Sequence, residues 1–278
     1  MSLSRLTGFD REEVESVREN TVPKFPGDIH DSNQLLDYIV LVFSGAFYSE
    51  LAFKGGYMLN KLLLDQSRRT RDVDLSIRDK TSYEQVKRVL KSIAEQLTSQ
   101  GIIDDYRIKE EITATKAGGI DLYRNGSKVL GVDVSLHDIS YGVQQYALGF
   151  TDVMAFEVER MLADKIVAIL SKKRFRRTKD LYDMYALAKT FAFDYNKLAK
   201  YIELRGNAEW DNIPFDETVL IEYERAWERL DLRSSVTGDS LAKPAFVEVI
   251  RVFNSIAVAI KEGAAFSRWS TLSMSWVR

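Results

Sequence analysis

The chain has 278 residues, 45% of them hydrophobic, and a formal net charge of −2. That length allows one large domain or two smaller ones with a substantial core, and near-neutrality excludes generic electrostatic binding of nucleic acid while leaving room for local basic patches. There is no cysteine, which rules out disulfides and thiolate metal sites; no apolar run reaches membrane-spanning length and the polar, acidic start is unlike a signal peptide, so a cytoplasmic protein is expected.

In chain order, residues 1–30 are polar and carry Pro23 and Pro26, which predicts a short helix and a linker. The run from Ser32 to Tyr48 is almost wholly apolar and too long for a strand, so a buried helix is expected. Leu51 to Lys54 reads as a short strand entering a Gly55-Gly56 turn, after which Met58, Leu59, Leu62 and Leu63 recur at helical spacing. Asp72 to Ile77 alternates as a strand does. Tyr83 to Leu97 is an amphipathic helix with Val86, Val89, Leu90, Ile93 and Leu97 on one side.

After Gly101 the pattern becomes β-like, from Tyr106 to Thr115 and again on either side of Asn125-Gly126. Asn-Gly between two strand-like runs predicts a tight hairpin, with Lys128 to Leu136 antiparallel to Ile120 to Arg124. From Glu157 the chain reads as helix. Met161, Leu162, Ile166, Ile169 and Leu170 line one face; Leu181, Tyr182, Tyr185, Ala186 and Ala188 begin another helix. Further amphipathic stretches run from Tyr195 to Leu204, Glu217 to Leu230 and Ala245 to Lys261. The terminal AAFSRWSTLSMSWVR has little pattern and either docks or frays. The fold class is α+β, with a helix and linker over 1–30, an α/β core over 31–155 and a helical domain over 156–278.

Three constellations carry chemistry. Asp72 and Asp74 share one strand face, and Asp133 sits between Val132 and Val134 on a second strand. Paired aspartates alone are commonly solvated strand residues. Converging carboxylates repel one another unless a positive group joins them, and a hard divalent cation, Mg²⁺ or Mn²⁺, is the natural resolution. Gly55-Gly56 just before them lets a backbone approach phosphates and frees N–H groups at a helix start. This pattern points to phosphoryl or nucleotidyl transfer.

The third constellation lies in the helical half. Lys165 stands on an apolar helical face, where it either snorkels to solvent or serves as a fixed cation for a triphosphate. Lys172, Lys173, Arg174, Arg176, Arg177 and Lys179 form the densest basic cluster, either a solvated loop or an RNA-backbone contact. Asp180 and Asp183 share a helix face. His30 and His137 form no triad or zinc pattern, and a structural role is expected for His137.

Phe53-Lys54-Gly55-Gly56, Asp72-Val73-Asp74, Ala163-Asp164-Lys165 and Lys179-Asp180-Leu181-Tyr182-Asp183, in this order, resemble the motifs of the AbiEii/AbiGii nucleotidyltransferase-like toxins, which include abortive-infection toxins and the related MenT toxins. The resemblance implies a polymerase-β-like nucleotidyltransferase core, a mixed sheet with flanking helices, followed by a helical domain. It implies Mg²⁺ on Asp72 and Asp74, with Asp133, as the third carboxylate of the wider fold, completing the metal site. Lys54, Gly55 and Gly56 would approach the nucleotide phosphates, and Lys165 and Asp180 would match two catalytic or nucleotide-contacting positions. The implied partners are an NTP, an RNA acceptor such as a tRNA, and a cognate antitoxin; a monomer is expected. Tyr57 stands where the family has a small residue, and Arg71 where a small or acidic one precedes the Asp-x-Asp. Tyr57 would narrow the phosphate pocket or alter nucleotide choice, and it favours the rival reading, a nucleotide- or RNA-binding protein of the same fold without catalysis.

Overall fold

Aspartate and aliphatic residues alternate in two strands at the middle of a seven-stranded mixed sheet, and that alternation sorts the sheet into a polar and an apolar face. The computed structural model describes residues 32–47, 49–64, 67–78, 80–109, 116–171, 177–206, 208–235, 237–264 and 266–278. The helix and linker expected over 1–30 lie outside the described residues. The strands are β1 (Leu51–Lys54), β2 (Asp72–Ile77), β3 (Asp105–Lys109), β4 (Lys116–Arg124), β5 (Ser127–Leu136), β6 (Val143–Ala147) and β7 (Asp152–Phe156), in the spatial order β3-β4-β5-β2-β1-β7-β6. Pairings are parallel for β5/β2 and β1/β7 and antiparallel elsewhere.

All four residues of β1 are buried, as a strand covered on both faces requires. In β2 and β5, Val73, Leu75, Val132 and Val134 are buried, while Asp72, Asp74 and Asp133 take the opposite face. The hairpin between β4 and β5 forms at Asn125 and Gly126, both at positive φ, the conformation of a two-residue turn that matches strand twist. Strands β6 and β7 carry no clear signal: VQQYA is polar along an edge and DVMAF is only five residues long.

Helix α1 (Ser32–Phe47) is buried along most of its length and contacts β2, β5 and β7; α3 (Lys80–Ser99) contacts β3 and β4. Buried Leu36, Ile39, Val40 and Phe43 of α1 join Tyr83, Val86, Leu90, Ile93, Ala94 and Leu97 of α3 in this core. Val89, expected on the same stripe, is half-buried. Between β1 and β2 lies α2 (Gly55–Leu63).

The chain divides into two compact units. The first holds the described residues of 32–61 with Thr70–Phe156; the second holds Leu62–Arg69 with Glu157–Arg278. The second contains α4 (Val158–Ile169), α5 (Thr178–Thr190), α6 (Tyr195–Arg205), a 3-10 turn at Trp210–Asn212, α7 (Glu217–Glu228), α8 (Phe246–Lys261) and a hairpin of β8 (Arg268–Ser270) and β9 (Ser275–Val277). Asp194 and Asp216 cap α6 and α7, each accepting a backbone N–H three residues on at 2.8 Å. Lys243 Nζ donates to the carbonyls of Trp227, Glu228 and Leu230, which closes the negative end of α7. The terminal stretch docks: Trp269 is fully buried, stacks on Phe193 at 5.4 Å and donates its indole N–H to Ala188 O at 2.7 Å. No helix among the described residues is long and apolar enough to cross a membrane.

Candidate active site

Strand register lays out the polar face of the first unit as two rows. Asp74 is the direct neighbour of Asp133 across β2/β5 and of Lys54 across β1/β2. Gly119 faces Asp133 from β4, and Lys109 faces Gly119 from β3. One row therefore reads Lys109, Gly119, Asp133, Asp74, Lys54. The second reads Arg107, Asp121, Gly131, Asp72. Paired residues in neighbouring strands share a face, so four carboxylates, two glycines and several cations occupy one surface.

Two lysines bind the acids together. Lys109 Nζ lies 2.5 Å from Asp133 Oδ1 and 3.2 Å from Asp121 Oδ1; Lys128 Nζ lies 2.8 Å from Asp121 Oδ1 and 2.9 Å from Asp72 Oδ1. Burial works to raise the Asp121 carboxyl, but hydrogen bonds from Lys128 and Lys109 outweigh it and hold the group below its ordinary value. Burial likewise works to lower Lys128, and hydrogen bonds to Asp121 and Asp72 raise it instead. Gly131 makes this possible, since a Cβ there would fall 2.6 Å from both Asp72 Oδ1 and Lys128 Nζ.

The glycine turn meets the same surface. Gly55 has φ +67°, and a Cβ on it would run into the Asp74 carboxylate; a Cβ on Gly56 would press on the Thr70 hydroxyl at 2.9 Å. Small residues at both positions are a steric requirement of this approach. Lys54 is nearly buried, with Nζ 3.3 Å from His137 Nδ1 and over the Phe156 ring. A lysine ammonium only donates, so Nδ1 accepts and the imidazole proton sits on Nε2. Ser76 Oγ is 3.2 Å from the same nitrogen. His137 thus contacts Lys54 and Ser76, a structural role played beside Asp74. Tyr57 points away from the turn: it is buried and donates to Asp37 Oδ1 at 2.7 Å, beside an ion pair between Lys61 and Asp37. Arg71 is exposed, and its carbonyl accepts from Gly131 N–H.

In the second unit, Lys165 of α4 lies between two aspartates of α5. Its Nζ is 2.8 Å from Asp180 Oδ1 and 2.7 Å from Asp183 Oδ2. Asp183 also receives both arms of Arg68, Nε and Nη2, each at 2.8 Å. This bidentate geometry is the strongest form of a carboxylate pair. Burial opposes charge on Asp183, yet the Lys165 and Arg68 charges hold its carboxyl below the ordinary range. Lys165 shows the converse: burial lowers it, and Asp183 and Asp180 raise it well above the ordinary lysine value. The lysine does not snorkel; its ammonium is an internal node. Arg177 reaches Asp180 at 3.7 Å, while Lys172, Lys173, Arg174 and Arg176 lie outside the described residues.

Four participants escape a motif-based reading of the sequence. Asp121 carried a usable signal, because Ile120-Asp121-Leu122 repeats the pattern of Val132-Asp133-Val134. Arg68, Lys109 and Lys128 had none. Among the described residues, no three His, Asp or Glu side chains converge closely enough to hold a metal ion by themselves. Mg²⁺ is usually held by one or two carboxylates together with substrate phosphates and water, and the same-face pair Asp72 and Asp74 beside the glycine turn fits that mode.

No curated protein matches the sequence. Among solved structures, MenT4, a nucleotidyltransferase toxin from Mycobacterium tuberculosis H37Rv, shares the fold with a TM-score of 0.50 at 16% identity, over 90% of this chain and 90% of that one. JHP933 from Helicobacter pylori aligns with a TM-score of 0.49 at 15% identity, over 84% of this chain and 91% of that one. The sequence profile of the nucleotidyl transferase AbiEii toxins, of type IV toxin–antitoxin systems, matches residues 42–246. That span takes in the glycine turn, Asp72-Val73-Asp74, Asp133, Lys165 and Asp180, and it covers most of the chain: the protein belongs to the AbiEii nucleotidyltransferase toxin family.

Proposed function

We propose that the protein transfers a nucleotidyl group from an NTP to the 3′ hydroxyl of an RNA, with a tRNA 3′ end as acceptor, and thereby halts growth until a cognate antitoxin intervenes. The observation that carries this reading is the placing of Asp72, Asp74 and Asp133 on one sheet face beside the Gly55-Gly56 start of α2. In the reaction the acceptor oxygen bonds to the α-phosphorus, the bond from that phosphorus to the bridging α–β oxygen breaks, and pyrophosphate leaves. Asp133 takes the proton of the attacking hydroxyl. Asp72 and Asp74 would hold Mg²⁺ or Mn²⁺, which supplies charge neutralisation at the triphosphate and the attacking oxygen.

The rest is done by the chain. Backbone at Gly55 and Gly56 admits the triphosphate closely, and the start of α2 offers it N–H groups. Lys54, steadied by His137 and Ser76, adds positive charge next to Asp74. In the second unit, Lys165 and Asp180 match the family's nucleotide-contacting positions, and Asp183 and Arg68 set the position of the lysine head.

Tyr57 favours a catalytically silent binding protein only if it crowds the phosphate turn, and its hydroxyl is held in the core by Asp37. The test is transfer of label from each α-labelled NTP to total cellular RNA, with and without Mg²⁺. Lengthened RNA that appears only with NTP supports transfer. Equal labelling by wild type and an Asp72→Asn, Asp74→Asn variant would refute the mechanism.

A further inference from the structure

The Lys109–Asp121–Lys128 cluster is absorbed by none of the motifs above, and its position on the sheet says what it can do. The Gly55-Gly56 turn follows β1, on one side of β2. Lys109, Asp121 and Lys128 lie on β3, β4 and β5, beyond β2 on the other side. A triphosphate admitted at the turn therefore leaves the β5–β4 surface to the attacking molecule. Gly119 and Gly131 stand beside Asp133 and Asp72 without side chains of their own, and the Lys109 and Lys128 side chains lie over them.

Each ammonium group has one firmly placed partner and one exposed partner. Asp121 is shared by both lysines and its side chain is only 17% exposed, whereas Asp72 and Asp133 are 42% and 51% exposed. Asp121 is the fixed anchor, and Asp72 and Asp133 are the partners that other ligands can reach. A lysine ammonium carries three donors on a flexible stem. It can keep its bond to Asp121 and turn another N–H from a carboxylate to a phosphate oxygen without moving the backbone.

We propose that Lys109 and Lys128, both anchored on Asp121, form the subsite that receives the phosphodiester backbone of the acceptor RNA next to its 3′ end. Asp121 is a positioning residue: it touches neither substrate and acts through the lysines. The inference rests on the transfer reaction proposed above. It would give a protein with no overall positive charge a means of engaging RNA at this face, with two lysines placed where one or two phosphates would sit.

The experiment measures anisotropy of a labelled short single-stranded RNA with Mg²⁺ present and no NTP, alongside calorimetric NTP binding, for wild type, Lys109→Gln, Lys128→Gln and Asp121→Asn. Each lysine variant is expected to bind RNA about tenfold more weakly and to lose about 0.7 from the slope of log affinity against log salt, with NTP affinity unchanged. Asp121→Asn weakens RNA binding without touching NTP affinity, and Asp121→Glu restores it. Thermal melts followed by circular dichroism identify any variant that fails to fold, and Lys109→Arg and Lys128→Arg, which keep charge, then bind RNA as wild type does. Unchanged RNA affinity in the folded glutamine variants, or a loss of NTP affinity in its place, would overturn the proposal. The two readings separate cleanly. Weaker RNA binding in a protein that labels no RNA sinks the transfer reaction and leaves the subsite standing; transfer with an unchanged KM for RNA in the lysine variants sinks the subsite alone.

Discussion

Asp74 and Asp133 are direct neighbours on adjacent parallel strands, and Lys54 is the neighbour of Asp74 on its other side. Backbone hydrogen bonding sets this spacing, independently of any ligand. A sheet that holds two carboxylates side by side must have something positive close by, and Lys109, Lys128 and Lys54 supply it in the structure.

The paired aspartates should be dispensable for folding and indispensable for transfer. Asp72→Asn with Asp74→Asn is expected to lower transfer at least a thousandfold, the equivalent of about 4 kcal/mol of lost charge stabilisation. Thermal stability should stay within a few degrees of wild type. Timed incorporation of labelled NTP, with a melting curve on the same preparation, checks both halves.

Gly55 should tolerate no side chain. Alanine at φ +67° costs about 1–2 kcal/mol in backbone strain, and its Cβ would displace the Asp74 carboxylate. Gly55→Ala should therefore lose transfer and gain a lowered urea midpoint, whereas Gly126→Ala, with nothing within 4 Å of its Cβ, should lose only stability. Parallel urea titrations and transfer assays compare the two.

Removing the charge of Asp183 should damage the second unit severely. Asp183→Asn removes the carboxylate that both Lys165 and Arg68 contact, and breaking a buried ion pair from one side costs about 3–5 kcal/mol. Asp180→Asn should cost less, because Lys165 keeps Asp183. Equilibrium denaturation of each variant, and of Lys165→Met, gives the ranking.

The same network sets a pH dependence with a definite sign. The Asp183 carboxyl is lowered in the folded protein, so its contribution is fully present above its unfolded value of about 3.9 and is lost as pH falls through the folded value. The Lys165 ammonium is raised, so its contribution is fully present below about 10.4 and disappears only as pH rises beyond that. Asp183→Asn should flatten the acid limb of stability against pH, and Lys165→Met the alkaline limb. A denaturation series from acid to alkaline pH reads both; an acid limb as steep in Asp183→Asn as in wild type would show that other carboxylates drive acid unfolding.

Local pattern made much of this legible. Asp72-Val73-Asp74-Leu75 and Val132-Asp133-Val134 declare their faces by alternation, and Asn125-Gly126 declares its hairpin because few other pairs accept two positive φ angles. Strand β7 was not legible, since DVMAF is too short to stand out from its surroundings and is a strand only through β1 and β6. The lysine partners were hidden for a related reason. Lys109 and Lys128 meet Asp121 through strand pairing across β3, β4 and β5, and no spacing along the chain encodes that contact. Tyr57 shows the converse error, because a residue next to a turn in sequence lies in the core once α2 sets its direction.

Leu62–Arg69 lies in the sequence between two segments of the first unit and yet belongs to the second. The chain therefore passes from one unit to the other three times, and no single cut divides it. A fragment beginning at Glu157 would carry Asp183 without Arg68, a buried carboxylate stripped of the guanidinium that grips both its oxygens. Dissecting this protein into independently folding parts, or grafting its helical half onto another core, requires that eight-residue segment to travel with the helices.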